Sequence, residues 1–346
     1  MNLEDSRDYA ALENLPSPEV VTGVTQSNFQ ELVVDKYRPV VMRGLANHWP
    51  LVEAGKISAR RAARHITRFE AGKSKGLLIT PPEACGRLFY NDSLDGMNFA
   101  QRSATLSQGI KLMLEQPERK QAPRYFFQCV GVKDFVPGLE TEVQNPLLDN
   151  RGVPYIWIGN RITVAPHFDD ASNIAVVAVG RRRFTFFPPE QVENLYVGPI
   201  DYTPAGQPIS LVDLRNPDLT RFPKYRTAYR HALSVLLDPG DAVFIPSPWW
   251  HHVESQADFN VLVNFWWSGV YAPGAMPFPA LIHAMIALKH LPLEQRAAWK
   301  KIVDHYVFEE NGDPGEHLSP SAKGMLGELT PQLINQLHQW LVQRLR

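Results

Sequence analysis

The run Ala165-Pro166-His167-Phe168-Asp169, answered far downstream by Trp249-Trp250-His251-His252, constrains this chain more than any other feature. Side chains at i and i+2 of a strand share a face, so His167 and Asp169 can reach one ion while Phe168 points away. Two imidazoles and one carboxylate are the donor set of the 2-His-1-carboxylate facial triad, which leaves adjacent positions open on a non-haem Fe(II). A lone His-x-Asp is common. Here the second half adds a turn at Asp238-Pro239-Gly240-Asp241, the apolar run Ala242 to Ile245, two aromatics and two histidines. His251 and His252 compete for the third position, and neighbours on an extended backbone face opposite ways, so only one can take it. Ligands so far apart in sequence require a closed sheet.

Around these motifs, residues 155–267 are dominated by β-branched and aromatic runs: Tyr155 to Ile158, Asn173 to Val179, Arg183 to Phe187, Leu233 to Leu237, Ala242 to Ile245 and Val261 to Trp267. Short strands punctuated by Gly and Pro predict a sandwich or barrel, and the jelly roll is the form that hosts a metal in its mouth. The expected class is mainly β with helices: a jelly-roll core, N-terminal α/β decoration and a C-terminal helical module. The decoration includes a strand in Arg38 to Gly44, helices over Ser58 to Arg68 and Ser107 to Glu115, and β-prone runs at Gly76 to Thr80, Arg87 to Tyr90 and Tyr125 to Cys129. Ser27 is a candidate N-cap for a helix over Asn28 to Val34, and Gly109 weakens the helix around it. The Pro- and Tyr-rich connection from Val197 to His231 is long enough to act as a lid or binding loop.

After Pro277 the period turns helical. Trp299, Ile302, Val303 and Tyr306 form one apolar stripe, and Ile334, Leu337, Leu341 and Leu345 another behind a Thr330 cap and Pro331. These stripes either pack on their own barrel or make a dimer, and we expect a homodimer. The resulting division is a loosely held segment at 1–20, a catalytic domain at 21–272 with its metal-binding core at about 155–269, and a helical module at 273–346.

With 346 residues, 44% of them hydrophobic, the chain can bury one large core plus a smaller module. A net charge of -1 gives no whole-chain attraction to nucleic acid or membrane. Cys85 and Cys129 form no disulfide framework and no thiolate metal site. The acidic opening lacks the pattern of a secretion signal, and no apolar stretch is long enough to span a bilayer. The expectation is a soluble cytoplasmic protein.

The run through His167-Phe168-Asp169, then Phe186-Phe187-Pro188-Pro189-Glu190-Gln191, Asn216-Pro217-Asp218, Trp249 to Ser255 and Asn264-Phe265-Trp266 resembles the JmjC oxygenases. It looks closest to the branch containing the asparaginyl hydroxylase that inhibits hypoxia-inducible factor. The resemblance is strong over about Ile158 to Gly269. It implies a double-stranded β-helix binding Fe(II), 2-oxoglutarate and O2, and a hydroxylase or oxidative demethylase. Its ligand positions fall on His167, Asp169 and His251, because the ligand directly follows the paired aromatics. His252 is then expected in the outer shell, hydrogen-bonded, and Asp170 faces solvent or substrate.

The same resemblance implies a cation for the far carboxylate of 2-oxoglutarate. Alternation after Gly180 turns Arg182 opposite to Arg181 and Arg183. Similar proteins usually hold a lysine there; arginine can grip a carboxylate bidentately. Asn173 and Asn264 stand where related enzymes place amides beside the co-substrate or metal. Tyr125 resembles the tyrosine that closes over the far carboxylate, with Phe126 taking its place if the register shifts by one. Val164 occupies the position of a frequent threonine, with Thr163 beside it as the hydroxyl candidate, and Trp266 is expected to pack beside the metal. The expected partner is a protein or peptide, with a small molecule or an RNA base as alternatives and no DNA signal. A cupin-like binding protein without turnover is the competing class.

Overall fold

The computed structural model describes residues 6–115, 122–148, 152–204, 206–267 and 277–345. Strands in chain order are β1 (Glu19–Val21), β2 (Val40–Met42), β3 (Ser74–Thr80), β4 (Arg87–Leu88), β5 (Ala100–Thr105), β6 (Arg124–Gly131) and β7 (Val153–Gly159). They continue as β8 (Thr163–His167), β9 (Ser172–Val179), β10 (Arg182–Phe187), β11 (Leu233–Leu237), β12 (Ala242–Ile245), β13 (Trp250–Ser255) and β14 (Asn260–Trp267). A nine-stranded sheet runs β1-β2-β12-β9-β14-β7-β6-β3-β5, and a five-stranded sheet runs β11-β10-β13-β8-β4.

The barrel core is the stretch β12-β9-β14-β7 facing β11-β10-β13-β8, antiparallel throughout. From β7 onward the chain passes from one sheet to the other and back, which is the winding of a double-stranded β-helix. Closure of this kind leaves one inner face on which residues distant in sequence meet.

β9 shows why these strands read as unbroken apolar runs: all eight of its residues are buried. Ala175 and Val177 face Phe184, Phe186 and Val253 inside the barrel. Ile174, Val176 and Ala178 face outward, into a cluster with Leu51, Ala62 and Ile110 from the helices Pro50–Ile57, Ala59–Thr67 and Leu106–Glu115. A strand covered on both faces needs apolar residues at both phases of its alternation. Ser58 starts the second helix by accepting the amide of Arg61, as an N-cap should. Gly109 has a packing reason in the third. A Cβ there would lie 2.2 Å from the Phe127 ring, so glycine is what lets this helix close onto β6.

Two local expectations are corrected. The helix after Ser27 is a single turn, Phe29–Leu32, with Asn28 at the cap position; the Ser27 hydroxyl pairs with Thr25 at 2.9 Å instead. The opening segment is not loosely held where it is described. Leu12 is fully buried, and with Tyr9 it joins a cluster containing Phe187, Tyr225 and Trp250. The Tyr229 hydroxyl donates to Ala11 O at 3.1 Å, and Ser234 N donates to Pro16 O at 2.9 Å. A few well-placed apolar residues outweigh the segment's polar average.

The long connection between β10 and β11 is folded rather than open. Gly198 and Leu211 donate to Ile209 O and Tyr196 O, and Val212, Leu214 and Phe222 are buried. The chain divides into two compact units, 1–267 and 268–346. The expected domain boundary at 272–273 lies outside the described residues. The second unit carries helices Pro277–Leu288, Leu293–Tyr306 and Pro331–Arg344, the last capped by Thr330 and begun by Pro331. Trp299, Ile302, Tyr306, Leu341 and Leu345 are exposed.

Candidate metal centre and active site

His167 closes β8 and His251 lies on the neighbouring β13, where the two are direct cross-strand partners. Their ring centroids are 4.2 Å apart. β8 ends at His167, so Asp169 comes from the turn just beyond, yet its carboxylate still falls on the same side. One ligand atom from each of His167, Asp169 and His251 lies within 4.8 Å of the others. Phe168 points away, edge-on to Trp250 at 5.0 Å.

Hydrogen bonds set the histidines for ligation. His167 Nδ1 faces Ala165 O at 2.9 Å and His251 Nδ1 faces Trp249 O at 3.1 Å. A carbonyl only accepts, so Nδ1 carries the proton in both rings and the Nε2 lone pairs are left toward the shared space. Burial, reinforced by the nearby His167, pulls the pKa of His251 down to about 4, which keeps it neutral as a ligand must be. Asp169 Oδ2 accepts from Trp266 Nε1 at 3.0 Å and lies 3.8 Å from His251 Nε2.

His252 turns to the opposite side of β13. Burial lowers its pKa to about 4, and neither ring nitrogen has a hydrogen-bond partner among the described residues. The outer-shell hydrogen bond expected of it is not found among the described residues. Asp170 is exposed at the rim of the cavity, as expected.

That cavity, about 450 Å³, opens between the two sheets and includes all three triad residues. Arg182 enters it from β10 and is only 3% exposed. Its Nη2 donates to Trp157 O at 3.3 Å and its Nε has no partner among the described residues. Burial lowers its pKa to about 9, so it stays a cation at neutral pH. Arg181 pairs outward with Asp238 at 2.7 Å and Arg183 reaches Ser234 at 3.2 Å, which is the alternation expected of the strand. Asn173 and Asn264 also line the cavity. Asn264 Oδ1 accepts from Trp157 Nε1 at 2.7 Å, and Asn173 Oδ1 is buried and without a partner among the described residues. A buried guanidinium N–H without an acceptor costs free energy until an anion meets it. The donor set and this cation therefore fit a metal together with a small dianionic chelator.

Two expected contacts are not there. Tyr125 faces outward into the cluster beneath the helices, while Phe126 and Gln128 line the cavity. Alternation by one residue decides this. Thr163 likewise lies outside the cavity, paired across β13 with Glu254 and donating its amide to Gly86 O; Val164 takes the inner position. Gln128, Cys129 and Trp157 line the cavity without having been expected there. The alternation of Phe126 with Gln128 was the signal available for the first of them.

A family model described as a cupin-like domain matches residues 26–272. HSPB1-associated protein 1 of Mus musculus is 38% identical over 271 residues, covering 72% of this chain and 52% of that protein. Lysine-specific demethylase 8 of Xenopus tropicalis is 27% identical over 250 residues, covering 70% and 50%. tRNA wybutosine-synthesizing protein 5 of Mus musculus is 22% identical over 274 residues, covering 74% and 79%. The chain spans about half the length of the first two of these relatives. With the interleaved strands, the converging triad and a match over most of the sequence in agreement, the chain belongs to the cupin-like domain family.

Proposed function

We propose that this chain is an Fe(II)- and 2-oxoglutarate-dependent oxygenase that hydroxylates an amino-acid side chain of a protein or peptide, with succinate and CO2 as co-products. The observation that carries this reading is a converging His167–Asp169–His251 donor set sharing one cavity with a buried Arg182 whose Nε has no partner among the described residues. When bound, iron and 2-oxoglutarate supply the oxidising power: one oxygen atom of O2 goes to succinate and the other to the substrate C–H bond.

The chain's own residues bind, orient and exclude water. His167 and His251 would ligate through Nε2, and Asp169 through its carboxylate, held in place by Trp266. Arg182 would take the far carboxylate of 2-oxoglutarate, a charge-assisted contact contributing about 1.5 to 3 kcal/mol. Asn173 and Asn264 offer amide groups along the same wall. Phe184, Ile245, Val253 and Leu262 make the rest of that wall apolar, which strengthens the ionic contact. No side chain is given an acid or base role, including Asp170, His231 and His252.

A protein or peptide substrate is favoured by the JmjC resemblance, and the names of two relatives keep oxidative demethylation and RNA modification as outcomes of a substrate search. The reading extends to a cytoplasmic homodimer joined through the C-terminal helices. Two free cysteines and the exposed Trp299, Ile302, Trp340 and Leu341 support those parts. Light scattering of the full chain tests the dimer.

Succinate release from 2-oxoglutarate under Fe(II), ascorbate and air tests the activity. The wild-type protein is expected to turn over slowly even without prime substrate and His167→Ala not at all. Equal release from both defeats the reading in favour of a binding protein.

A further inference from the structure

β13 has two faces with different duties. His251 and Val253 point into the cavity, whereas His252 and Glu254 point to the outside of the small sheet. β13 pairs with β10 in continuous register through His251, and the irregularity lies on its other edge, against β8. His251 opposes His167, but Val253 already opposes Val164, so the β13–β8 register shifts between these two positions. An irregularity of this kind leaves part of the ladder unpaired and bends the strand. His252 gives no compensating tether, since both its ring nitrogens lack hydrogen-bond partners among the described residues.

Besides the β10 ladder, a side-chain tether lies at Glu254. Its carboxylate is 9% exposed at the residue level and accepts Arg215 Nε at 2.6 Å and Nη2 at 2.7 Å. The same guanidinium grips Glu13 through Nη1 at 2.9 Å and Nη2 at 2.8 Å. Among the described residues Arg215 is the cation that forms an ion pair with Glu254. Glu13 sits on the turn Leu12–Asn14, whose Leu12 is fully buried, so the far end of the bridge is anchored as well. One arginine thus links the N-terminal segment, the long connection and the metal-bearing strand. A buried carboxylate that loses its partner is strongly destabilised in place, and the strand carrying it must shift to rehydrate it.

We infer that Arg215 is a positioning residue for the metal centre: by clamping Glu254 to Glu13 it fixes β13 across its register shift and holds His251 in ligating position. The inference rests on the triad being a metal site. It makes metal affinity depend on an arginine and an N-terminal glutamate that touch neither metal nor co-substrate.

The test uses the metal-free full chain, titrated with Mn(II) by calorimetry and with Co(II) by visible absorption. Arg215→Met, Arg215→Lys and Glu13→Gln are compared with Leu51→Ala, which unpacks a fully buried side chain under the large sheet. Arg215→Met is expected to weaken Mn(II) by up to about 10-fold, the lower end of what loss of a ligand's own hydrogen-bonded partner does, and to alter the Co(II) spectrum. Arg215→Lys recovers part of the loss, and Glu13→Gln moves affinity the same way by less. Leu51→Ala lowers thermal stability yet leaves affinity and spectrum unchanged. Should Arg215→Met not fold, the lysine and glutamine variants carry the comparison. Wild-type affinity in the Arg215 variants, or a loss no larger than that of Leu51→Ala at matched thermal stability, overturns the inference. Absence of metal uptake by the wild-type chain overturns it together with the reading of the triad, and is distinguished by that.

Discussion

Trp266 Nε1 donates to Asp169 Oδ2 at 3.0 Å, and that same oxygen lies 3.8 Å from His251 Nε2. The indole therefore fixes the one triad ligand that lies beyond a strand end. Trp266→Phe keeps the aromatic bulk and removes the N–H. We expect metal affinity to fall about 10-fold, as for other outer-shell losses, while the affinity of the loaded protein for 2-oxoglutarate changes little. Calorimetric titration with Mn(II), then with 2-oxoglutarate, checks both.

Arg182 separates co-substrate binding from metal binding. Arg182→Met should raise the KM for 2-oxoglutarate roughly 10- to 150-fold, the equivalent of about 1.5 to 3 kcal/mol, and leave Mn(II) affinity as it is. Steady-state kinetics with 2-oxoglutarate as the varied substrate reads the first, and titration in its absence reads the second.

The Glu13 bridge gives a pH dependence. Hydrogen bonding to Arg215 holds the Glu13 carboxyl at about 2, below its ordinary 4.5. A group whose pKa is lowered on folding adds stability that is complete above the unfolded value and lost as pH falls toward the folded one. Glu13 is half exposed, so solvent screening limits this to about 1 kcal/mol or less. Glu13→Gln should be less stable than wild type near neutrality, and the gap should close as pH falls from 4.5 toward 2. Denaturant titrations of both metal-free proteins across that range measure it.

Gly109→Ala runs against helix propensity. Alanine is the better helix former, but its Cβ would fall 2.2 Å from Phe127. The overlap should dominate and cost about 1 to 3 kcal/mol, seen as a lower denaturant midpoint.

The triad was legible because chemistry and geometry are written locally: the His-x-Asp spacing gives one face, and paired aromatics mark His251. Arg182 was legible from alternation after a turn at Gly180, which adopts positive φ. Tyr125 and Thr163 were assigned to the cavity and lie outside it. On β6 a single-residue step exchanges the faces and sequence alone does not fix the phase, whereas on β8 strict alternation from His167 puts Thr163 inside and Val164 lines the cavity instead. The register shift between β8 and β13 falls on that stretch. The ordered N-terminal segment was hidden by its polar composition, since Leu12 and Glu13 acquire meaning only beside Tyr225 and Arg215.

Anaerobic addition of Fe(II) and then 2-oxoglutarate, followed by visible absorption, tests the metal centre most directly. Chelation of Fe(II) by a 2-oxoacid through its keto and carboxylate oxygens gives a charge-transfer band. One iron per chain is expected, with a band that appears with 2-oxoglutarate, persists in His252→Ala and is lost in His251→Ala. A band untouched by His251→Ala, or lost only in His252→Ala, would contradict His251 as the ligand.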